Sequence, residues 1–178
     1  MIDVTTATKI LPGTDLYGEA VDWLHTEAEL LDNGREREWL EEMISPEIIY
    51  RLPLRQTVER ARGQGFSDDT YHLDETYGSL GTRVARNETA YAWAEDPPSR
   101  MRHFVTNIRV HDVEGHTLSV LSNLLIYRTR QDQTRPQLFC GERHDALRRD
   151  DTGRLRLVER TIYLDQTVIG THNLALFF

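Results

Sequence analysis

The chain has 178 residues, and 21 basic side chains against 29 acidic ones give it a net charge of −8. An acidic chain lacks the basic field that phosphate-backbone binding needs, so nucleic acid is not an expected partner. A single cysteine, Cys140, excludes an internal disulfide and a cysteine-rich zinc site, and it suits a cytoplasmic setting. No apolar run approaches the roughly 18 residues of a membrane span, and the first residues carry neither the basic start nor the apolar core of a secretion signal.

The spacing predicts helices in the first half and long strands in the second. Residues 1–14 read as an irregular arm. From Leu16 to Leu31 the apolar residues Leu16, Ala20, Trp23, Leu24, Ala28 and Leu31 recur at helical intervals. Thr14 or Asp15 can cap that helix, and Asn33-Gly34 supplies a stop. A second helix is expected over Glu36–Met43, ended by Ser45-Pro46. Residues 48–54 read as a short strand whose Pro53 argues for an edge or a strand end. Residues 55–68 read as a charged surface loop. Leu73, Tyr77, Leu80 and Val84 then suggest a third amphipathic helix, and Asp96-Pro97-Pro98-Ser99 breaks the pattern.

Beyond the break the period becomes two. Phe104, Thr106, Ile108 and Val110 are expected on one face, and Leu118, Val120, Ser122, Leu124 and Ile126 form the next alternating run. Glu114-Gly115 lies between them as a hairpin turn. Two more strands, over Leu138–Leu147 and Leu155–Leu164, flank a turn at Asp150-Asp151-Thr152-Gly153. Consecutive long strands joined by short turns make an antiparallel meander, and helices preceding it make an α+β fold in one domain spanning 1–178.

Several residues have the chemistry for a site. His111 and His116 flank a turn with Asp112 or Glu114 near, a partial metal-ligand set that also fits a solvated hairpin end. In Arg143-His144-Asp145, strand alternation puts Arg143 and Asp145 on one face and His144 on the other, so His144 and Asp145 are not a ready dyad. His103 stands in a similar position, and no nucleophile motif or phosphate loop is present. Cys140, between apolar strand residues, reads as a small core residue. The tail over 170–178 carries Leu174, Leu176, Phe177 and Phe178, so it either folds back on the core or docks on another subunit. Trp39, in a short charged helix, is the kind of aromatic anchor that interfaces use.

Five stretches carry a family resemblance. They are Glu29-Leu30-Leu31-Asp32-Asn33-Gly34 with Trp39-Leu40; Tyr50-Arg51-Leu52-Pro53; the run over 95–107, Glu95-Asp96-Pro97-Pro98-Ser99-Arg100-Met101-Arg102-His103-Phe104-Val105-Thr106-Asn107; Gly141-Glu142-Arg143-His144-Asp145; and the run over 164–174 ending His172-Asn173-Leu174. Together they resemble the small (β) subunit of bacterial aromatic-ring-hydroxylating dioxygenases, from about Leu16 to Phe178. The resemblance implies a cystatin-like cone, with a strongly curved antiparallel sheet of about six strands packed on three helices, the fold also seen in ketosteroid isomerase and scytalone dehydratase.

It also implies a non-catalytic structural subunit in a heterohexamer of three α and three β chains, with no cofactor of its own. The Rieske [2Fe–2S] cluster and a mononuclear Fe(II) are then expected in the α subunit, fed with NADH-derived electrons by a ferredoxin and reductase. A Rieske centre needs two Cys and two His, which one cysteine cannot supply. Arg100, Arg102, His103, Arg143, His172, Asn173, Leu174, Phe177 and Phe178 are the expected subunit-interface residues, because polar strand ends and an apolar tail need partners. The alternative is a stand-alone isomerase, dehydratase or cyclase of the same fold, with Tyr50, His103, His144 or Asp145 as acid–base groups.

Overall fold

A computed structural model describes residues 7–59, 61, 63–88, 97–113, 117–171 and 173–178. Helix α1 spans Asp15–Asp32, where the Thr14 side chain accepts from the Tyr17 N–H at 3.3 Å and Asp15 lies in the first turn. Its inward stripe is Ala20, Trp23, Leu24, Glu27, Leu30 and Leu31. Gly34, at φ 69°, turns the chain out of α1. Helix α2 (Glu36–Met43) then leads directly into strand β2 (Ile44–Arg55).

Both prolines of β2 coincide with interruptions in its ladders. Pro46 lies between Ile44 and Ile49, where the pairing with the last strand shifts register, and Pro53 marks a shift on the other side. A residue with no N–H is tolerated at such places.

The structure changes the expectations for residues 55–84. Strand β3 (Phe66–Glu75) forms there, antiparallel to β2, and helix α3 begins only at Tyr77 and runs to Asn87. Leu73 sits on β3 opposite Leu52. It shares an inward direction with Leu80 and Val84, and that common burial produced the apparent helical spacing. Thr76 and Ser79 form a capping box that fixes the start of α3.

Strands β4 (Arg100–Val113), β5 (Thr117–Thr129), β6 (Gln137–Arg149) and β7 (Leu155–Leu164) form the expected meander, with the Asp150–Gly153 turn between the last two. The expected turn at Glu114-Gly115 lies outside the described residues. The N-terminal arm is not wholly irregular, because β1 (Thr8–Ile10) pairs with β4. The sheet order is β1-β4-β5-β6-β7-β2-β3, seven strands rather than six. One pairing, β2 with β7, is parallel.

One bulge re-aims half of β4. The register shifts between Thr106 and Arg109, and Asn107 takes φ 53°. Before it, Met101, His103 and Val105 face in and Phe104 and Thr106 face out; after it, Ile108 and Val110 face in. The expected single face of Phe104, Thr106, Ile108 and Val110 is therefore split.

The curved, unclosed sheet wraps around the three helices, and this is the cone that the resemblance implied. Leu24, Trp39, Tyr50, Leu80, Val120 and Ile162 fill the space between the layers.

Candidate functional site

The concave side of the cone holds a cluster of buried charge. Arg160 on β7 donates from Nη1 and Nη2 to the two oxygens of Glu27 on α1, each at 2.8 Å. Its Nε and Nη2 reach both oxygens of Asp145 on β6, at 2.7 and 2.8 Å. Arg143 Nη1 donates to Glu27 at 3.1 Å, and Trp39 Nε1 donates to the same carboxylate at 3.0 Å. Two arginines and two carboxylates thus neutralise one another where isolated charges would be very costly. Burial pushes the Glu27 carboxyl up, but the Arg160 and Arg143 guanidiniums override it and hold the group below the usual carboxylate range. Burial acts against the charge on Arg160, and Asp145 and Glu27 more than restore it, leaving it firmly protonated.

The chain's own tail fills the rest of the interior. The Phe177 ring packs on Trp39 with centroids 4.6 Å apart, and Phe178 meets Phe139 edge-on at 5.8 Å. The Tyr50 hydroxyl accepts from the Phe178 N–H at 2.7 Å and donates to a main-chain oxygen of Phe178 at 3.1 Å; Arg160 Nη1 donates to that same oxygen. Burial raises the Tyr50 phenol above its ordinary range. Further back, Arg83 donates to the Leu174 and Leu176 carbonyls, and Arg128 to the Asn173 carbonyl and side chain. Of the two readings of the tail, the fold-back one holds in this chain.

The expected interface residues divide accordingly. Arg100 and Arg102 are exposed at the start of β4, Arg100 donating to the Gln131 carbonyl at 2.7 Å. The His103 side chain is buried, its Nδ1 2.6 Å from Asp32 and its Nε2 3.1 Å from the Phe177 carbonyl. Arg143, Phe177 and Phe178 are buried in the chain's own interior, so their side chains are not surface groups. Asn173 and Leu174 are half-buried, and His172 lies outside the described residues. Trp39, expected as a surface anchor, is fully buried, because α2 turns its apolar side onto the tail. Cys140 is exposed rather than in the core, since alternation on β6 sends Phe139 inward and Cys140 outward.

The acid–base candidates do not converge. Tyr50 and Asp145 are engaged inside the cone, while His144 faces the outer side of the sheet, 3.1 Å from Glu142 and stacked edge-on against Tyr163. There it lines an outer cleft of about 660 Å³ with Arg51, Tyr71 and Tyr163. Of the histidine pair at the β4–β5 turn, His111 is half-buried and His116 is outside the described residues. Among the described residues, no three His, Cys, Asp or Glu side chains are grouped to hold a metal ion. One cysteine cannot supply the two that a Rieske cluster needs.

Sequence reasoning missed Glu27 and Arg160. Each had a signal: Glu27 occupies an inward position of α1 between Leu24 and Leu30, and Arg160 falls in step with inward Ile162 and Leu164.

A cone of helices inside a curved sheet is shared by several protein classes, and the comparisons decide among them. The ring hydroxylating beta subunit family matches residues 26–171, and the chain belongs to that family. A chain of naphthalene 1,2-dioxygenase, solved with indole bound in the active site, is 27% identical and superposes with a TM-score of 0.82 over 92% of this chain and 86% of its own length. The beta subunit of the benzoate 1,2-dioxygenase from Burkholderia mallei is 19% identical, with a TM-score of 0.71 over 94% of this chain and 100% of that one. ActVI-ORFA from Streptomyces coelicolor shares the fold at 16% identity, with a TM-score of 0.62 over 85% and 98% of the two chains. No helix among the described residues is long and apolar enough to cross a membrane.

Proposed function

We propose that this chain is the structural, non-catalytic β subunit of the terminal oxygenase of an aromatic-ring-hydroxylating dioxygenase. Three copies hold three α subunits, and the α subunits carry the Rieske cluster, the mononuclear iron and the substrate pocket. The complex works in the cytoplasm, and electrons from NADH reach it through a reductase and ferredoxin. Its reaction adds both atoms of O₂ to an aromatic ring to give a cis-dihydrodiol. The β subunit contributes by fixing the spacing of α subunits, since positioning of reacting centres is itself a large part of catalysis.

The observation that carries this reading is the occupied interior. Phe177, Phe178 and the Glu27–Arg143–Asp145–Arg160 cluster fill the space where an enzyme of this fold would need an open apolar pocket. Tyr50 and Asp145 are tied up in that filling, and His144 points away from it. The test is to recover the complex from its host with this chain as bait, and to measure its native mass, iron content and visible spectrum. A red-brown complex of about six subunits, with iron in a larger partner, is the expected result. A colourless, iron-free assembly of this chain alone would overturn the proposal.

A further inference from the structure

The outer cleft of about 660 Å³ runs over β6, β7, β2 and β3, and its size is that of a small-molecule site. Its rings come from three of those strands. Tyr163 on β7 packs edge-on against Phe66 of β3, with centroids 4.9 Å apart, and against His144 of β6 at 5.0 Å. The ring planes meet at 66° and 70°, so the three stand as walls and not as one flat floor. Tyr71 of β3, paired with Pro53, adds a fourth ring.

Two of these rings already attract cations from the chain itself. Arg55 sits over Phe66 at 5.0 Å, and Arg51 over Tyr71 at 5.2 Å. Both guanidiniums are neutralised close by, Arg51 by Asp74 at 2.9 Å and Arg55 by Asp165 at 3.3 Å. Among the described residues, no guanidinium lies over Tyr163, the ring between the others.

Carboxylates surround Tyr163 instead. Glu142 is its register partner on β6, Glu159 shares its outward face on β7, and Asp68 lines the same cleft. Among the described residues, that lining sets three carboxylates against the single guanidinium of Arg51. Burial pushes the Tyr163 phenol above its ordinary range, and Glu159 and Glu142 push it the same way, so the field at this ring is negative.

Aromatic walls in a negative field hold a small organic cation. The ring face attracts the charge, the alkyl groups around the nitrogen pack on the rings, and the carboxylates select the sign. An anion would meet Glu142, Glu159 and Asp68, and a neutral ligand would gain the apolar contact alone.

We propose that this cleft binds a small organic cation of the alkylammonium class, with its nitrogen against the Tyr163 ring and Glu142 beside it. The proposal goes beyond the oxygenase reading and does not depend on it.

The test is calorimetric titration of the full chain with tetramethylammonium, with tert-butanol as a neutral probe of similar shape, and with benzoate. Tetramethylammonium is expected to bind saturably at millimolar concentration, about five-fold tighter than tert-butanol, and benzoate is expected not to compete. Tyr163→Phe keeps a ring and keeps the preference for the cation. Tyr163→Leu removes the ring and brings tetramethylammonium down to the level of tert-butanol. Glu142→Gln, a change on the exposed rim, weakens the cation several-fold and leaves tert-butanol unchanged, and it decides the matter where Tyr163→Leu fails to fold. No saturable binding of tetramethylammonium, equal affinity for tert-butanol, benzoate bound in preference, or a cation affinity unchanged in Glu142→Gln each overturns the proposal. None of these readouts depends on whether an iron-bearing complex forms, so the oxygenase reading stands or falls separately.

Discussion

Arg160 and Glu27 meet through two parallel hydrogen bonds of 2.8 Å, joining the last strand of the sheet to the first helix inside the cone. The pair is bidentate, the arrangement in which a guanidinium and a carboxylate bind each other best. Removing one partner leaves the other buried and uncompensated. Glu27→Ala is therefore expected to destabilise the fold by about 3–5 kcal/mol. Arg160→Met should cost a similar amount, and Glu27→Ala with Arg160→Met should cost less than the sum of the two single changes. Denaturant titrations of the four chains measure the coupling.

The same carboxylate sets an acid limit. Glu27 is held below its ordinary range by Arg160 and Arg143 in spite of burial. A carboxyl depressed in the folded state contributes stability above its unfolded pKa of about 4.3, and that contribution is lost as pH falls through the folded value. Unfolding free energy should thus fall steeply below about pH 4 in the parent chain and less steeply in Glu27→Gln. Urea titrations across pH 2.5–6 compare the slopes, and equal slopes would remove Glu27 from the account.

Phe178 is both a core side chain and the acceptor at the end of the polar cluster. Phe178→Ala is expected to cost about 3–5 kcal/mol and to leave an apolar cavity beside Phe139. Such a cavity can stay dry and take up benzene, so benzene should raise the melting temperature of the variant and not of the parent. Calorimetry with and without benzene makes the comparison.

At Gly141 a Cβ would collide with the Tyr163 carbonyl and approach the Leu164 Cα to 2.9 Å, and both are backbone atoms of β7. The neighbouring strand cannot yield as a flexible side chain would. Gly141→Ala should cost about 1–3 kcal/mol and loosen the β6–β7 ladder. Amide exchange in β7 reads this directly, and unchanged protection at Leu164 would count against it.

The meander was legible because its strands carry long alternating runs. At Leu118 through Ile126 every inward residue is spaced by two. The same rule placed Arg143 and Asp145 together and His144 opposite. It failed at Asn107, because a bulge inserts one residue and reverses the faces beyond it, and no periodicity signals that in advance. It also failed at Phe66–Glu75, a strand whose side chains are mostly half-exposed and polar, so nothing separates it from a loop until β2 lies beside it. The charged cluster was half visible. Glu27 broke an apolar stripe, but only the packing of α1 against β6 and β7 shows that two arginines wait opposite. Cys140 was misread because its apolar neighbours in sequence point the other way in space.

The parallel pairing of β2 with β7 bears on how the chain is made. Ile49, Tyr50 and Arg51 take partners at Glu159, Arg160 and Thr161, more than a hundred residues later. Until those residues leave the ribosome, β2 has no neighbour on that side and Glu27 of α1 lacks its Arg160 partner. Loop closure over such a span is slow, and long-range pairing dominates the rate of folding. The growing chain therefore displays a half-built sheet edge and unburied helix faces for most of its synthesis, a period in which chaperone binding or early capture by a neighbouring polypeptide has time to act.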